Sequence, residues 1–354
     1  MYLTIILCVR NEKEYISSTL ESILKQTKLD NYEIIISDGC STDGTIDIIN
    51  NYIRQNLNIH LIENPDRIVS TGFNRALSQA KGDVIIRIDG HCIISPNYIE
   101  KCLELITFKK TDIVGGVINT ISSGLIGKAI SSSQSSWFGV GGVKFRNIGI
   151  KKGDYVDSLA FGVHKRDIFT EIGGYDEEMI SNQDDEFNCR AIQAGKKIWL
   201  EPSLQTKYIS RSSYCKLFQQ YFYYGFYKVR GVQKRRKVFA LRHLVPSIYV
   251  IGLLITIYLG YLFSNPLILI SIIFPYSIMN IFSSIYVSSS LLSIPLIFFS
   301  YWTLHVGYGF GFIWGLIRFI NKWKDTELKD YNFNREQFCM NKPNQDTIIE
   351  NTLS

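Results

Sequence analysis

The segment VIIRIDGH, residues 84–91, decides the fold that this sequence predicts. Four apolar residues interrupted by one arginine are typical of a short buried strand, which ends abruptly in Asp89, Gly90 and His91. An ionised aspartate at the end of a buried strand is costly unless a partner such as a divalent cation neutralises it. Asp89 and His91 are two residues apart, so in an extended segment both side chains point to one side. A metal-dependent nucleotide-sugar site and an Asx turn that only closes the strand both fit this segment taken alone.

Short strands and helices alternate on the N-terminal side of this segment. Strands are predicted at residues 3–9, 33–37, 59–63 and 84–89, and helices at 11–26, 46–55 and 70–80. Asn11 is the expected N-cap of the first helix. This alternation predicts an α/β fold, a Rossmann-like and mostly parallel sheet with right-handed crossovers. Ligands bind such sheets at the carboxyl ends of the strands.

The pattern is looser after residue 90. Helices are predicted at 96–108, 184–194 and 213–231, and strands at 112–118, 155–165 and 198–201. The segment 121–153 is rich in serine and glycine and has little periodicity, so we expect a long loop, functional or disordered. The segment 213–231 combines aromatic and basic residues, as a helix in a membrane interface does.

The chain has 354 residues, and its composition changes near residue 240. Residues 244–317 contain one histidine and no Asp, Glu, Lys or Arg, which disfavours the alternative of a buried soluble bundle. Three stretches, 244–263, 267–287 and 291–317, are each long enough to cross a bilayer core of about 30 Å. We therefore expect an α/β domain over 1–240, a membrane domain over 241–320 and a polar tail without structure over 321–354.

A basic cluster precedes the apolar block and consists of Lys228, Arg230, Lys234, Arg235, Arg236, Lys237 and Arg242. Such a run binds nucleic acid or an anionic membrane face, and its position next to the apolar block favours the membrane over nucleic acid. The positive-inside rule then predicts a multi-pass protein of the cell membrane with its first domain in the cytoplasm.

The basic residues after the last apolar segment conflict with three full crossings. Arg318, Lys322 and Lys324 also favour the cytoplasmic side, whereas three crossings would place them opposite the first cluster. A re-entrant hairpin within 264–300, an extra crossing, or dominance of the larger upstream cluster would each resolve the conflict, and the sequence leaves all three open.

Several common classes of binding site are excluded because the sequence lacks their motifs. No GxGxxG follows the first strand, and no P-loop motif occurs. The seven cysteines show neither CxxC nor metal-ligand spacing, which favours a reducing compartment. Asp38 follows the second strand, where a carboxylate can accept hydrogen bonds from a nucleoside, although a glycine-rich turn explains the same residues.

Five short motifs occur in a fixed order along the chain. They are residues 8–12 (CVRNE), 37–45 (SDGCSTDGT), 89–91 (DGH), 173–177 (GGYDE) and 183–190 (QDDEFNCR). This series resembles the family 2 glycosyltransferases with the GT-A fold, and most of all the membrane-bound enzymes of succinoglycan-type exopolysaccharide synthesis. The resemblance covers residues 2 to about 230, and the apolar C-terminal block also fits that group.

The resemblance implies a nucleotide pocket and a metal site. Asn11 and Glu12 fall where the family lines the nucleoside pocket, and Asp38 falls where it contacts the base or ribose. Asp89 corresponds to the first acid of the DxD motif, and His91 replaces the last. Histidine can still ligate a divalent cation, Mn²⁺ or Mg²⁺, but the site loses one negative charge.

The resemblance also implies a catalytic base. Asp184 falls on the catalytic aspartate, Gln183 replaces the usual glutamate, and the adjacent Asp185 is a rival for the same role. A carboxylate that takes the proton of an acceptor hydroxyl gives a single displacement with inversion. Asp176 is expected to shape the acceptor side.

Two C-terminal features have alternative explanations. Tyr223 and Tyr224 stand where processive relatives have the Arg and Trp of QxxRW, so processivity is not implied. His305 could line a lipid path, but close helix packing at the neighbouring glycines 307, 309 and 311 is the favoured interpretation.

We therefore expect transfer of a sugar from a UDP-sugar to a lipid-linked or membrane-proximal saccharide, with inversion, at the cytoplasmic face. The alternatives are a transferase acting on polyprenyl phosphate itself and a degenerate glycosyltransferase-like membrane scaffold.

Overall fold

The computed structural model describes residues 1–27, 31–210, 212–236 and 240–342. The chain forms two compact units. The first contains Met1–Val117, Gly149–Lys207 and Leu328–Ser354, and the second contains Ile118–Ile148 and Tyr208–Glu327. Lys237 of the predicted basic cluster lies outside the described residues.

The first unit is built on a mixed sheet. Its strands are β1 (Leu3–Val9), β2 (Tyr32–Asp38), β3 (Ile59–Glu63), β4 (Val84–Asp89), β5 (Cys92–Ile94), β6 (Ile113–Ile121), β7 (Asp154–Tyr155), β8 (Val163–Lys165) and β9 (Ile198–Ile209). Their order in the described residues is β3-β2-β1-β4-β8-β6-β9-β5, with β7 on β9. Strands β1 to β4 pair in parallel, and β8 runs antiparallel to both β4 and β6. The α/β class and the parallel half of the sheet agree with the sequence, and the other half is mixed.

Helices alternate with the strands and then dominate the C-terminal half. They are α1 (Ile16–Leu24), α2 (Thr45–Gln55), α3 (Val69–Gln79), α4 (Tyr98–Phe108), α5 (Gly124–Gln134), α6 (Trp137–Val140), α7 (Arg166–Ile172), α8 (Gln183–Gln193), α9 (Tyr214–Lys234), α10 (Val245–Leu262), α11 (Leu267–Val287), α12 (Ser293–Arg318) and α13 (Arg335–Met340). The core of the first unit lies between its sheet and helices, where the apolar residues of β1, β2 and β4 are almost fully buried.

The first helix begins later than predicted. Asn11 is not its N-cap, because its backbone is left-handed (φ 55°) and α1 starts at Ile16. The Asn11 side chain instead accepts a hydrogen bond from the backbone N–H of Thr42, at 2.8 Å. Asparagine tolerates left-handed backbone better than most residues, so this position suits a loop.

The prediction of a long loop over 121–153 is wrong for its first half. Helices α5 and α6 occupy it and belong to the second unit. Serine hydroxyls bond to the local backbone, as in the 2.6 Å bond from Ser131 Oγ to the carbonyl of Thr120. Ala129 and Ile130 are buried on the apolar face of α5.

The described part of the tail, residues 321–342, is ordered, contrary to prediction, and residues 343–354 lie outside the described residues. Helix α13 is capped by the Asn334 side chain, which accepts from the backbone N–H of Gln337 at 3.1 Å. Phe338 is fully buried, and the guanidinium carbon of Arg166 lies 3.7 Å from its ring centroid. Two aromatic residues in a polar tail, Phe333 and Phe338, therefore anchor it on the first unit.

Within the described residues, the second unit contains three helices long and apolar enough to cross a membrane, spanning Leu241–Leu262, Leu267–Val287 and Ser293–Arg318. The glycines of α12 do pack closely, since a Cβ on Gly311 would lie 1.9 Å from the carbonyl oxygen of Phe222. His305 is buried, with Nδ1 2.9 Å from the Tyr276 hydroxyl and Nε2 3.0 Å from the Phe138 carbonyl. Its contacts are those of a packing residue.

Candidate active site

The sheet register brings the predicted acids to one edge. In the parallel pairing, Asp38 of β2 lies opposite Val9 of β1, and Asp89 of β4 lies opposite Cys8. The two aspartates therefore stand at the carboxyl ends of strands that flank β1 on either side. This is the edge at which open α/β sheets bind ligands.

Arg87 links two of the predicted acids that are far apart in sequence. Its Nη1 donates to Asp184 Oδ1 at 2.6 Å, and its Nη2 lies 3.0 Å from Asp89 Oδ1. The Arg87 side chain is only 5% exposed. Burial alone would lower the pKa of Arg87, but the carboxylates of Asp184 and Asp89 raise it well above its ordinary value. The guanidinium therefore remains charged between them. The sequence showed Arg87 only as an interruption of an apolar strand.

Aromatic rings hold the Arg87 guanidinium in place. Its central carbon lies 5.8 Å from the ring centroid of Phe161 and 5.7 Å from that of Tyr175. Tyr175 stacks on Phe73 with centroids 4.3 Å apart, which fixes the ring. Tyr175 comes from the GGYDE motif, so this motif supplies a wall of the site.

Asp184 lies in the first turn of α8, where the helix dipole favours a carboxylate. Burial is the largest influence and raises the pKa of Asp184 above its ordinary value. The positive charge of Arg87 and a hydrogen bond with Tyr175 lower it, while the negative charges of Asp89 and Asp185 raise it. The net direction is upward, as for carboxylates that act in proton transfer.

Asp185 has different neighbours. Its Oδ1 accepts from the Ser158 hydroxyl at 2.8 Å, and Asn188 Nδ2 lies 3.4 Å from the same hydroxyl oxygen. The last acid of the run, Glu186, forms a buried ion pair with Arg190 at 2.8 Å. Helix α8 thus directs Asp184 to Arg87, Asp185 to Ser158 and Glu186 into the core.

The predicted nucleoside residues lie in two loops that bond to each other. Asp38 is 3% exposed, and its two carboxylate oxygens accept from the backbone N–H and hydroxyl of Ser41, at 2.8 and 2.5 Å. The backbone N–H of Asn11 donates to Ser41 Oγ at 2.9 Å. Asp38 therefore closes the turn, as the alternative interpretation held, while it also lies at the ligand-binding edge.

Asp43 connects the same two loops. Desolvation raises its pKa, but hydrogen bonds from the Thr45 hydroxyl and from the backbone of Lys13 and Thr45 outweigh this, so the pKa of Asp43 is lowered overall. The bond from the Lys13 backbone N–H measures 3.0 Å. The second DG pair of the SDGCSTDGT motif therefore organises the loops.

The side chains after β4 suit a divalent cation whose remaining ligands would come from the substrate. His91 Nδ1 lies 2.9 Å from Glu12 Oε1. In the tautomer that donates from Nδ1 to this carboxylate, a neutral imidazole has its lone pair on Nε2. Histidine ligands of metals commonly have such a carboxylate partner. Asp89 Oδ1 is buried without a hydrogen bond in the described part of the chain, although its contact with Arg87 is close.

No group of three or more His, Cys, Asp or Glu side chains suited to a metal occurs among the described residues. If a divalent cation were bound at the predicted ligands, Asp89 and His91, water and phosphate oxygens would have to supply its other ligands, which is how Mg²⁺ is often bound.

Asp176 is placed differently from the other predicted site residues. It is fully buried, and its Oδ1 accepts from the backbone N–H of Glu178 at 3.1 Å. The neighbouring Glu177 accepts from Asn74 Nδ2 and Asn332 Nδ2, at 2.8 and 2.9 Å. These acids hold the loop after α7 against α3 and the C-terminal segment.

Comparison with known proteins identifies the family. The profile described as glycosyl transferase family 2 matches residues 4–172. The chain is 31% identical over 246 residues to the succinoglycan biosynthesis protein ExoA of Rhizobium meliloti, covering 69% of this chain and 74% of ExoA. It is also 31% identical over 278 residues to a dolichyl N-acetyl-α-D-glucosaminyl phosphate 3-β-D-2,3-diacetamido-2,3-dideoxy-β-D-glucuronosyltransferase of Methanococcus voltae, covering 73% and 84%.

Among solved structures, the mannosyltransferase PcManGT of Pyrobaculum calidifontis, in complex with GDP-Man and Mn²⁺, superposes with a TM-score of 0.56 at 14% identity, covering 89% of this chain and 86% of that one. The first 349 residues of TarS from S. aureus superpose with a TM-score of 0.50 at 15% identity, covering 90% and 91%. These likenesses confirm the GT-A fold. The two sequence relatives, each covered over more than two thirds of its length, establish that this chain is a glycosyltransferase of family 2.

Proposed function

We propose that the chain transfers one sugar from a nucleotide-sugar, a UDP-sugar, to a lipid-linked saccharide at the cytoplasmic face of a membrane, with inversion and with help from a divalent cation. The observation that carries this proposal is Arg87, which contacts Asp89 at 3.0 Å and Asp184 at 2.6 Å at the ligand-binding edge of the sheet. The buried, positively charged side chain of Arg87 thus sets the distance between Asp89, which is suited to the leaving nucleoside diphosphate, and Asp184, which is suited to the acceptor.

Asp184 is the proposed base. Its pKa is raised by burial, which makes its carboxylate a better proton acceptor than an exposed aspartate, and Tyr175 and Arg87 fix its direction. It takes the proton of the acceptor hydroxyl as that oxygen attacks the anomeric carbon. A single displacement of this kind inverts the configuration. Asp185 is the weaker candidate, because its carboxylate is held by Ser158.

Asp89 and His91 are the proposed cation ligands. A divalent cation bound there would offset the negative charge that develops on the departing diphosphate. The chain's own contribution is orientation: Glu12 holds the His91 ring through Nδ1, and Arg87 holds the Asp89 carboxylate. Asn11, Glu12 and Asp38 remain the proposed lining of the nucleoside pocket.

The acceptor and donor are inferred from relatives and from composition. The Methanococcus voltae relative acts, by its name, on a dolichyl-linked sugar phosphate, and the part of this chain that the structure describes has three helices apolar enough for a membrane. A lipid-linked saccharide therefore fits better than a soluble acceptor. PcManGT binds GDP-Man, so a GDP-sugar is the first competitor of the UDP-sugar donor.

The test uses the full chain in lipid nanodiscs with Mn²⁺. UDP- and GDP-sugars are supplied one at a time, with a polyprenyl-linked disaccharide, with polyprenyl phosphate, or without acceptor. We expect release of the nucleoside diphosphate only with the lipid-linked saccharide. The NMR coupling of the product should show an anomeric configuration opposite to that of the donor. Transfer to polyprenyl phosphate alone would favour the alternative transferase, and no transfer with any pair would favour the degenerate scaffold.

A further inference from the structure

We infer that α12, although long and apolar enough to span a bilayer, does not cross the membrane but lies along its surface, and that α10 and α11 alone enter the bilayer as a hairpin. Both ends of α12 then face the side of the catalytic domain. The inference rests on contacts within the second unit and on membrane association, and it is independent of the transfer chemistry.

The first step is the direction of α12 relative to α9. A Cβ added to Gly307, Gly311 or Gly315 would lie 2.9, 1.9 or 2.7 Å from the carbonyl oxygens of residues 218, 222 and 226 respectively. Each advance of four residues on α12 matches an advance of four on α9. The two helices are therefore parallel and in contact along a row of small residues, which allows close approach.

The pairing extends to both ends of the helices. The Tyr214 hydroxyl donates to the carbonyl of Leu296 at 2.9 Å near the start, and Gln233 Nε2 donates to the carbonyl of Phe319 at 2.8 Å near the end. Because α9 accompanies α12 over its whole length, α12 can cross the membrane only if α9 crosses with it.

Helix α9 is unsuited to crossing. Lys216 is exposed and Lys228 follows twelve residues later, a distance of about 18 Å along a helix. A hydrocarbon core is about 30 Å thick, so one lysine would lie inside it. Gln219, between them, is exposed as well. Lysine at the centre of a spanning helix is costly, and α9 lacks the apolar length to offset that cost.

The chain after α12 is tied to the end of α9. Arg230 is fully buried and donates to the carbonyl of Asp325 at 2.9 Å, with an ion pair to its carboxylate at 3.0 Å. Lys234 Nζ donates to the carbonyl of Glu327 at 3.0 Å. From Leu328 onward the chain belongs to the first unit. The end of α12 must therefore lie on the catalytic side of the membrane.

The exposed surface of α12 has the pattern of an interfacial helix. Of the most apolar 18-residue window of α12, 56% is buried, against 17% and 11% for the other two apolar helices. Its exposed large residues fall within about 160° of one another at 100° per residue. They are Phe299, Trp302, Phe310, Trp314, Leu316 and Ile317, between 39% and 58% exposed. A single aromatic stripe rich in tryptophan fits the boundary between headgroups and acyl chains.

This arrangement removes the conflict between the two basic clusters. A hairpin that enters and returns leaves Arg242, before α10, on the same side as Arg318, Lys322 and Lys324, after α12. Both clusters then obey the positive-inside rule together. The sequence left open a re-entrant hairpin within residues 264–300. The geometry points instead to a hairpin formed by α10 and α11, with α12 outside the bilayer.

Single cysteines in a cysteine-free, active background test the inference, with Leu57→Cys as the reference on the catalytic domain, since Leu57 is 91% exposed. Ser290→Cys precedes α12 and Lys324→Cys follows it, and both residues are exposed. A membrane-impermeant maleimide is applied to intact cells and to inside-out vesicles. We expect positions 57, 290 and 324 to react in the same preparation. Reaction of 290 and 324 in opposite preparations would overturn the inference.

A second measurement keeps the native cysteines. Single-tryptophan variants retaining Trp302 or Trp314 are reconstituted with lipids brominated at shallow or deep acyl positions. The two residues are twelve apart, about 18 Å along the axis, so a crossing helix would place them at different depths. We expect both to be quenched alike and most strongly by the shallow bromines. Unequal depths, or strongest quenching by the deep bromines, would contradict a surface helix.

Discussion

Arg87 gives the first test at the scale of single residues. Its guanidinium is the shared partner of Asp89 and Asp184, so Arg87→Met leaves two partly buried carboxylates facing each other without a cation. We expect kcat/KM to fall roughly 10²-fold, the cost of losing reactive-group alignment. Arg87→Lys keeps the positive charge but loses the bidentate geometry of the guanidinium, so its kcat/KM should lie between those of Arg87→Met and the wild-type protein.

Arg75→Met is the matched control for Arg87, because Arg75 also forms a 2.8 Å ion pair, with Asp66, but both partners are substantially exposed. An exposed pair contributes about 0–1 kcal/mol, and its loss should leave kcat/KM nearly unchanged. Equal losses in the two arginine variants would show that Arg87 has no special role.

The metal site makes a separate prediction. Asp89→Asn removes the negative ligand while leaving His91 and its Glu12 partner in place. We expect nucleotide affinity to fall to the level measured in EDTA, and to respond no further to Mn²⁺, by calorimetry without acceptor. Mn²⁺ that strengthens binding to Asp89→Asn as much as to wild type would remove Asp89 from the metal site.

Asp184 and Asp185 can be separated by pH. The pKa of Asp184 is raised by burial and further by the charge of Asp185, and a base must be ionised, so kcat/KM should decline as pH falls through this raised pKa. Asp185→Asn removes one raising charge and should shift the acidic limb of the pH profile to lower pH with activity retained. If Asp185→Asn is inactive and Asp184→Asn is active, Asp185 is the base.

At the scale of elements, the contact between α9 and α12 depends on glycine. Gly311→Ala would usually gain about 1 kcal/mol of helix propensity, but its Cβ would meet the Phe222 carbonyl at 1.9 Å. Because the obstacle is a backbone atom, the overpacking cost of about 1–3 kcal/mol or more outweighs the gain in helix propensity. We expect a lower thermal midpoint in detergent, whereas Gly260→Ala, with its nearest atom at 3.3 Å, should lower it much less. Equal midpoints would contradict the close packing.

The elements also show what a sequence can and cannot specify. Strand β4 and its terminal Asp89 were predictable, because a run of β-branched residues has few alternatives. Helix α5 was not, since its serines bond to backbone in a way that composition conceals. Arg87 looked like an interruption, because its partners Asp89 and Asp184 meet it only through the fold. Long-range pairing of charges leaves no periodic signal.

At the scale of the whole molecule, the sequence predicted the order of catalytic and apolar segments but not how they are grouped. Residues 118–148 pack with the apolar helices, and residues 328–342 return to the sheet. Both groupings come from buried aromatic and small residues, such as Phe338 and Ala129, whose partners are distant in sequence. Hydropathy predicts three membrane-spanning segments, because length and composition do not show that α9 packs along α12.

The most direct test of the central claim, that the acids joined by Arg87 form a glycosyl-transfer centre, is a comparison of donor binding with transfer in Asp184→Asn. The full chain in nanodiscs is assayed for nucleotide-sugar affinity and for acceptor-dependent diphosphate release, with Asp167→Asn, an exposed acid of α7, as control. We predict unchanged affinity and a rate lowered roughly 10²–10⁴-fold for Asp184→Asn, the usual contribution of a positioned base. Transfer by Asp184→Asn at the rate of the control would contradict the account.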